Sequence, residues 1–266
     1  MGRVVVVDHV HVVWNGVNRE HVSVTLEEVV AAAQLEDLLI GLTPHTRDPC
    51  HPDTVVNLED LAAQIAALNA EDLVSLGVET NILPVWIRGS IAGFRTDLEY
   101  IPQAEWKFLG GLVVASLHFT RELGYPKLEN SDTCAQQAPA RMLGAYLAIL
   151  ATRPPLKIDV IGHPFKHVSA PATLAQLHTL AQAAKRKHVA LEVAIKGVLR
   201  SHGPIQWPWI VEAQCLRILI NTGVDLYLGT DIHTPDQLEH LGNIQFVAQE
   251  LIKRGVRPEQ ILNWEE

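Results

Sequence analysis

Five short apolar runs in this chain end in a histidine. Val4–Val7 leads into Asp8, His9, Val10 and His11, and Leu38–Leu42 leads into Thr43, Pro44 and His45. Leu112–Leu117 leads into His118, Ile158–Ile161 into Gly162 and His163, and Leu226–Leu228 into Gly229, Thr230, Asp231, Ile232 and His233. A sixth run, Leu76–Val78, ends in Glu79. Imidazole nitrogens and carboxylate oxygens are the donors that zinc, manganese and iron take, and a carboxylate can bridge two ions about 3.5–4 Å apart. The chemistry on offer is therefore that of a cluster of divalent ions that activates a water molecule.

His9-Val10-His11 means little alone, because a chain with 13 histidines meets such a pair by chance. Position gives it weight. Alternate residues at the end of a strand point to one side, so both rings can reach one ion, and Asp231-Ile232-His233 repeats the spacing with an oxygen and a nitrogen.

The elements that must position these groups are legible as alternating strands and helices. The strands are Arg3–Val7, Leu38–Leu42, Leu76–Glu79, Leu112–Leu117, Ile158–Ile161, Val189–Ala194 and Asp225–Leu228. Helices are expected over Thr25–Leu35, with Thr25 and Glu28 as a capping box, over Leu58–Leu73 after Asn57, and over Pro139–Thr152. Others are expected over Pro171–Lys187, over Trp209–Thr222 closed by Gly223, within Pro235–Gly255, and over Pro258–Trp264. Strand–helix alternation implies a parallel sheet, and seven repeats favour closure into a TIM-like (β/α)7 barrel, with ligands on the carboxyl rim. One α/β domain is expected over residues 1–266, with Thr80–Phe108 as an insertion in the rim.

Composition narrows the function classes. At 266 residues and 48% hydrophobic, the chain can bury a barrel-sized core. A net charge of −9 with no basic stripe argues against nucleic acid. No apolar stretch approaches the ~20 residues of a membrane span, and no signal peptide is visible, so a cytoplasmic location is expected. Cys50, Cys134 and Cys215 are isolated and read as reduced thiols.

In order along the chain, Asp8-x-His-x-His, GLTPH, GVE, SLH, IGHP, LEV and GTDIH resemble the PHP (polymerase and histidinol phosphatase) family over about Val4 to Asn263, closest to its stand-alone phosphoesterases. The resemblance implies a distorted (β/α)7 barrel that holds two or three divalent ions (zinc, manganese or iron) and hydrolyses a small phosphorylated substrate. It implies metal ligation by His9, His11, His45, Glu79 as the bridge, His118, His163, Asp231 and His233, with Asp231 and His233 also handling the proton. Gly16 and Val17 stand where the family places a further ligand, so that role passes to His21, which has the family spacing to the first helix. With His21 three ions are implied, and without it two. Pro44 replaces the family's Asp before His45, which removes a carboxylate partner there. Asp8 and Glu192 are expected behind the ligands, orienting them, and Ala194 replaces the family's Asn.

Phosphate recognition needs cations near the ligands. Arg47 and Lys166 rank highest by proximity, ahead of Arg88, Arg95, Arg121, Lys196 and Arg200. The alternatives are an amidohydrolase-like enzyme, which Glu79 after the third strand disfavours, and a non-catalytic metal-bound scaffold, which the near-complete ligand set disfavours.

Overall fold

A computed structural model describes residues 3–4, 6–13, 22–47, 54–88, 90–118, 132–152, 157–166, 172–195, 207–238 and 241–265. Its elements are β1 (Arg3–Val4), β2 (Val6–Val10), α1 (Leu26–Glu36), β3 (Leu39–Leu42), α2 (Leu58–Ala67), β4 (Val74–Leu76), β5 (Val78–Ile87), β6 (Ser90–Thr96) and β7 (Val113–Ser116). They continue with α3 (Asp132–Ala151), β8 (Val160–Ile161), α4 (Leu174–Lys187), β9 (Ala190–Ala194), α5 (Ala213–Thr222), β10 (Leu226–Ile232), α6 (Pro235–Leu238), α7 (Asn243–Lys253) and β11 (Trp264–Glu265).

The helices start where local chemistry favours it. The Thr25 hydroxyl accepts the Glu28 N–H while the Glu28 carboxylate accepts the Thr25 N–H, a reciprocal box that Thr173 and Gln176 repeat on α4. Asn57 accepts the Asp60 N–H at the head of α2. That helix stops at Ala67, short of the expected Leu73, and Asn69 two residues on turns the chain with φ +50°. Pro139, read as a helix start, lies inside α3, where its ring removes one backbone donor. The last expected helix is a 3₁₀ turn, Pro258–Gln260, followed by β11. No helix among the described residues is long and apolar enough to cross a membrane.

The principal sheet runs β4-β3-β2-β10-β9-β8-β7-β5-β6, and every pairing is parallel except β5 with β6. Its order follows the chain, and β2 lies beside β10, the first core strand beside the last. The segments β4 and β5 are two halves of one run divided at Gly77. The first half pairs with β3 and the second with β7, so this run meets both ends of the sheet. At the division, the Gly77 N–H donates to the Leu42 carbonyl at 2.7 Å on one side, and Val78 donates to Leu112 at 2.9 Å on the other. A side chain at Gly77 would overlap the Leu112 carbonyl, so only glycine lets the backbones approach this closely.

The expected insertion is more ordered than a loop. Its first half prolongs the Glu79 strand as β5 and returns as the antiparallel β6, and its second half forms 3₁₀ turns at Leu98–Tyr100 and Gln103–Phe108.

Helices cover the sheet through apolar faces: Val29 and Ala33 on α1, Leu177, Leu180 and Ala181 on α4, Leu216 and Leu219 on α5, and Val247 and Leu251 on α7 are all buried. Near the carboxy terminus, buried Asn263 ties two core strands together. Its amide donates to the Val6 carbonyl at 3.0 Å and the Leu228 carbonyl at 3.1 Å, and its oxygen accepts the Leu228 N–H at 3.3 Å. Replacing one side of a buried hydrogen bond leaves the other unsatisfied. Asn263→Ala should therefore lower unfolding free energy by about 1–3 kcal/mol. Urea denaturation would measure this, and an unchanged midpoint would contradict the clamp.

Candidate metal centre

Parallel strands deliver their last residues to one side of the sheet. His9 lies on β2, Glu79 on β5, Glu192 on β9 and Asp231 on β10, while His11, His45, His118, His163 and His233 follow a strand within a few residues. The strands do not simply run out flat. Register shifts occur in the β2–β3 pairing between Asp8 and Val10 and in the β10–β2 pairing between Gly229 and Ile232. His9 (φ +67°) and Asp231 (φ +50°) stand in the left-handed region at those irregularities, and His163 (φ +26°) joins them. Such conformations cost non-glycine residues of order 1–3 kcal/mol each and concentrate where a side chain must be aimed.

Five of these imidazoles converge on Glu79, which is fully buried. Its carboxylate lies 3.2 Å from His9 Nε2, 3.4 Å from His11 Nε2, 2.9 Å from His45 Nδ1, 3.6 Å from His118 Nε2 and 3.3 Å from His163 Nε2. Asp231 approaches from β10, 3.9 Å from His9 Nε2 and 3.7 Å from His11 Nε2. The His11 ring stacks on His45 and tilts against His233, each with centroids 4.4 Å apart.

The donors fall into overlapping triads whose atoms lie within 4.8 Å of one another: His11, His45 and His233; His9, His163 and Asp231; His9, His11 and Glu79; His45, Glu79 and His118. His9, His11, His45 and Glu79 each belong to two of them. Among the described residues, neither Glu79 oxygen, nor His9 Nε2, nor either His11 ring nitrogen has a hydrogen-bond partner. Buried polar atoms are normally satisfied, and buried charge is normally paired or coordinated. Divalent ions fit a buried set of nitrogen and oxygen donors left in this condition.

Electrostatics divide the histidines. Burial opposes the charged form of His9, but Glu192 and Glu79 outweigh it and hold its pKa well above the ordinary imidazole value. Burial, reinforced by His233 and His45, pushes His11 well below that value and keeps the lone pair of one ring nitrogen available. Burial also works against ionised Glu79 and Asp231. The imidazoles of His9, His45 and His118 overcome it for Glu79, and His11, His233 and Lys166 overcome it for Asp231, so both carboxyls sit well below the usual range.

Surrounding groups orient the rings. Glu192 receives His9 Nδ1 on one oxygen and the His163 backbone N–H on the other, which turns His9 Nε2 toward Glu79. His233 Nδ1 lies 2.8 Å from the Asp231 carbonyl, and its backbone N–H donates to Gln237 at 2.7 Å. Lys166 forms an ion pair with Asp231 at the edge of the cluster. The Arg47 guanidinium lies 4.5 Å above the Tyr100 ring, outside the triads. Arg95 pairs with Glu99, and Arg88 is exposed. His21, Arg121, Lys196 and Arg200 lie outside the described residues, as does the Asp8 side chain.

Sequence reasoning missed several supporting residues. Gln237 and Asn81 carried no recognisable spacing signal, and Asp97 lay hidden in the insertion. Gly229 was read only as part of a strand end, yet a side chain there would overlap the Glu192 carboxylate.

No family model matches the chain, and no curated protein matches it. Among solved structures it is similar to a histidinol phosphate phosphatase from Lactococcus lactis subsp. lactis Il1403, complexed with zinc, L-histidinol and phosphate. The two are 16% identical, 96% of this chain and 95% of that one are covered, and the TM-score is 0.56. An uncharacterised protein is 12% identical, with 95% of this chain and 75% of that one covered and a TM-score of 0.37, too distant to argue from. The first likeness shows a shared fold.

Gly229→Ala should push Glu192 off His9 and His163. Stability should fall by about 1–3 kcal/mol for overpacking, and metal affinity by about 10–100-fold for loss of an orienting partner. Calorimetry and chelator competition would measure the two effects, and wild-type values in both would refute the steric assignment.

Proposed function

We propose that this chain is a metal-dependent phosphoesterase acting on small phosphomonoesters, with residues 1–266 forming one distorted (β/α)7 barrel of the PHP type. The observation that carries the reading is the buried Glu79 carboxylate, ringed by imidazoles whose inward nitrogens, with both its own oxygens, include atoms with no hydrogen-bond partner among the described residues. The cyclic order of the strand runs supports barrel closure, with β4 and β5 as the two halves of the third strand. The zinc, histidinol and phosphate named for the structural neighbour support a metallophosphatase with a small phosphorylated substrate.

In this reading Glu79, His9, His11, His45, His118, His163, Asp231 and His233 would hold the ions, with Glu79 shared between the overlapping donor triads. His21 is the candidate for a third ion. Bound there, the ions would acidify a water molecule toward neutral pH and neutralise charge on the phosphoryl oxygens. The protein's own groups do the rest. Glu192 fixes the His9 ring so that Nε2 faces the cluster. With Nδ1 donating to the Asp231 carbonyl, His233 keeps its Nε2 lone pair for an ion, and it and Asp231 are assigned to proton handling as groups that would first have to leave the shell. Lys166 already neutralises Asp231 and can share its ammonium with an arriving phosphate. Arg47, held against Tyr100, is the second candidate cation at the rim.

Purified protein should hold two or three zinc, manganese or iron ions per chain and release phosphate from p-nitrophenyl phosphate. Glu79→Gln should lose ions and activity together. Elemental analysis beside the phosphatase assay decides this. An ion-free inactive protein overturns the reading, and ions with amidase or lactonase activity but no phosphatase activity place the chain among amidohydrolase-like enzymes instead.

A further inference from the structure

Asp97 follows β6 directly in the insertion, at the head of the Leu98–Tyr100 turn, belongs to none of the donor triads, and is fully buried. One of its oxygens accepts the Thr46 hydroxyl, the Thr80 hydroxyl at 2.7 Å and the Asn81 backbone N–H at 2.8 Å. Its other oxygen accepts the Asn81 side-chain amide at 2.7 Å. Thr46 follows His45, and Thr80 follows Glu79, so one carboxylate fastens two ligand-bearing segments.

The contact with Asn81 reaches further. The Asn81 amide nitrogen donates to both Asp97 and the Arg47 carbonyl, the latter at 3.2 Å. Both of its protons are thereby committed, which fixes the amide with its oxygen on the opposite side. That oxygen lies 2.8 Å from His118 Nδ1. An oxygen can only accept, so Nδ1 must carry the proton. The His118 lone pair is then on Nε2, the nitrogen that faces Glu79 at 3.6 Å.

We infer that Asp97 is a positioning residue for the metal centre, acting through Asn81 to set the tautomer and direction of His118. The inference rests on the metal-centre reading given above. It gives the insertion a second role, because the same hairpin that forms part of the rim carries a carboxylate that completes the support of His45, Glu79 and His118.

Asp97→Asn is close in shape but replaces one acceptor by a donor. Its NH2 group must then oppose either the Asn81 amide or the Asn81 backbone N–H. Reversal of the Asn81 amide would relieve the first clash, and it would present a donor to His118 Nδ1 and drive the proton to Nε2. Zinc affinity, measured by competition with a chromophoric chelator, should weaken by about 10–100-fold. Long-range ¹H–¹⁵N spectra of the apo-protein should show His118 protonated at Nδ1 in the wild type and at Nε2 in the variant, a change that loss of packing alone would not produce. Should Asp97→Asn fail to fold, Asn81→Ala leaves Asp97 three of its four donors. It should weaken zinc by a similar factor and remove the Nδ1 preference. Wild-type affinity in a folded variant, or a wild-type His118 protonated at Nε2, overturns the inference. A wild type that takes up no zinc overturns the proposed function instead, and the tautomer measurement then decides the role of Asp97 alone.

Discussion

A carboxylate with no exposed surface is the constraint to which the rest of this molecule answers. Removing Glu79 from water costs several kcal/mol even after the surroundings relax. That cost is tolerable only if positive charge or strong donors are brought to it. The chain brings imidazoles from several strand ends, and these rings crowd one another closely enough that not all can be protonated, as the depressed pKa of His11 between His233 and His45 illustrates. A centre that needs cations yet keeps some of its imidazoles neutral is suited to divalent ions, and the proposed function follows from that balance.

Aiming so many donors at one point demands local departures from regular structure. His9 and Asp231 occupy left-handed backbone positions where the β2 and β10 ladders slip register, and the absent side chain of Gly229 leaves the volume that Glu192 fills. These irregularities are stabilised by the sheet around them, in which β2 and β10 are hydrogen-bonded on both sides and tied again by Asn263. Strain at the centre and regularity in the frame are thus complementary parts of one arrangement.

Much of this was legible in the sequence because it is local. An apolar run followed by His or Asp states both a strand and what its end presents, and His9, His45, Glu79, His118, His163 and Asp231 could be placed that way. Capping boxes at Thr25 and Thr173 announce themselves within four residues, although only the first was recognised. What escaped depends on pairing between distant segments. The third strand reads as one short run, yet it is two, because Gly77 lets its halves take different neighbours. Asp97 has no spacing relation to His45, Glu79 or His118 and becomes their neighbour only when β6 folds back along β5. Pro44 suggested that His45 had lost a carboxylate nearby, and Asp97 brings one to the adjacent Thr46 from 51 residues away.

The strand that carries Glu79 does not stop at the rim; it continues as β5 for eight more residues and turns back as β6. Hairpin and buried carboxylate are therefore one covalent lever, pinned at its return by Asp97. In most α/β folds the loops beyond the strand ends are attachments, free to diversify while the strands stay fixed. Here that modularity is broken on one side. Lengthening, shortening or transplanting this hairpin would be transmitted to Glu79 itself, so the length of an outlying segment and the position of a buried charge are set together.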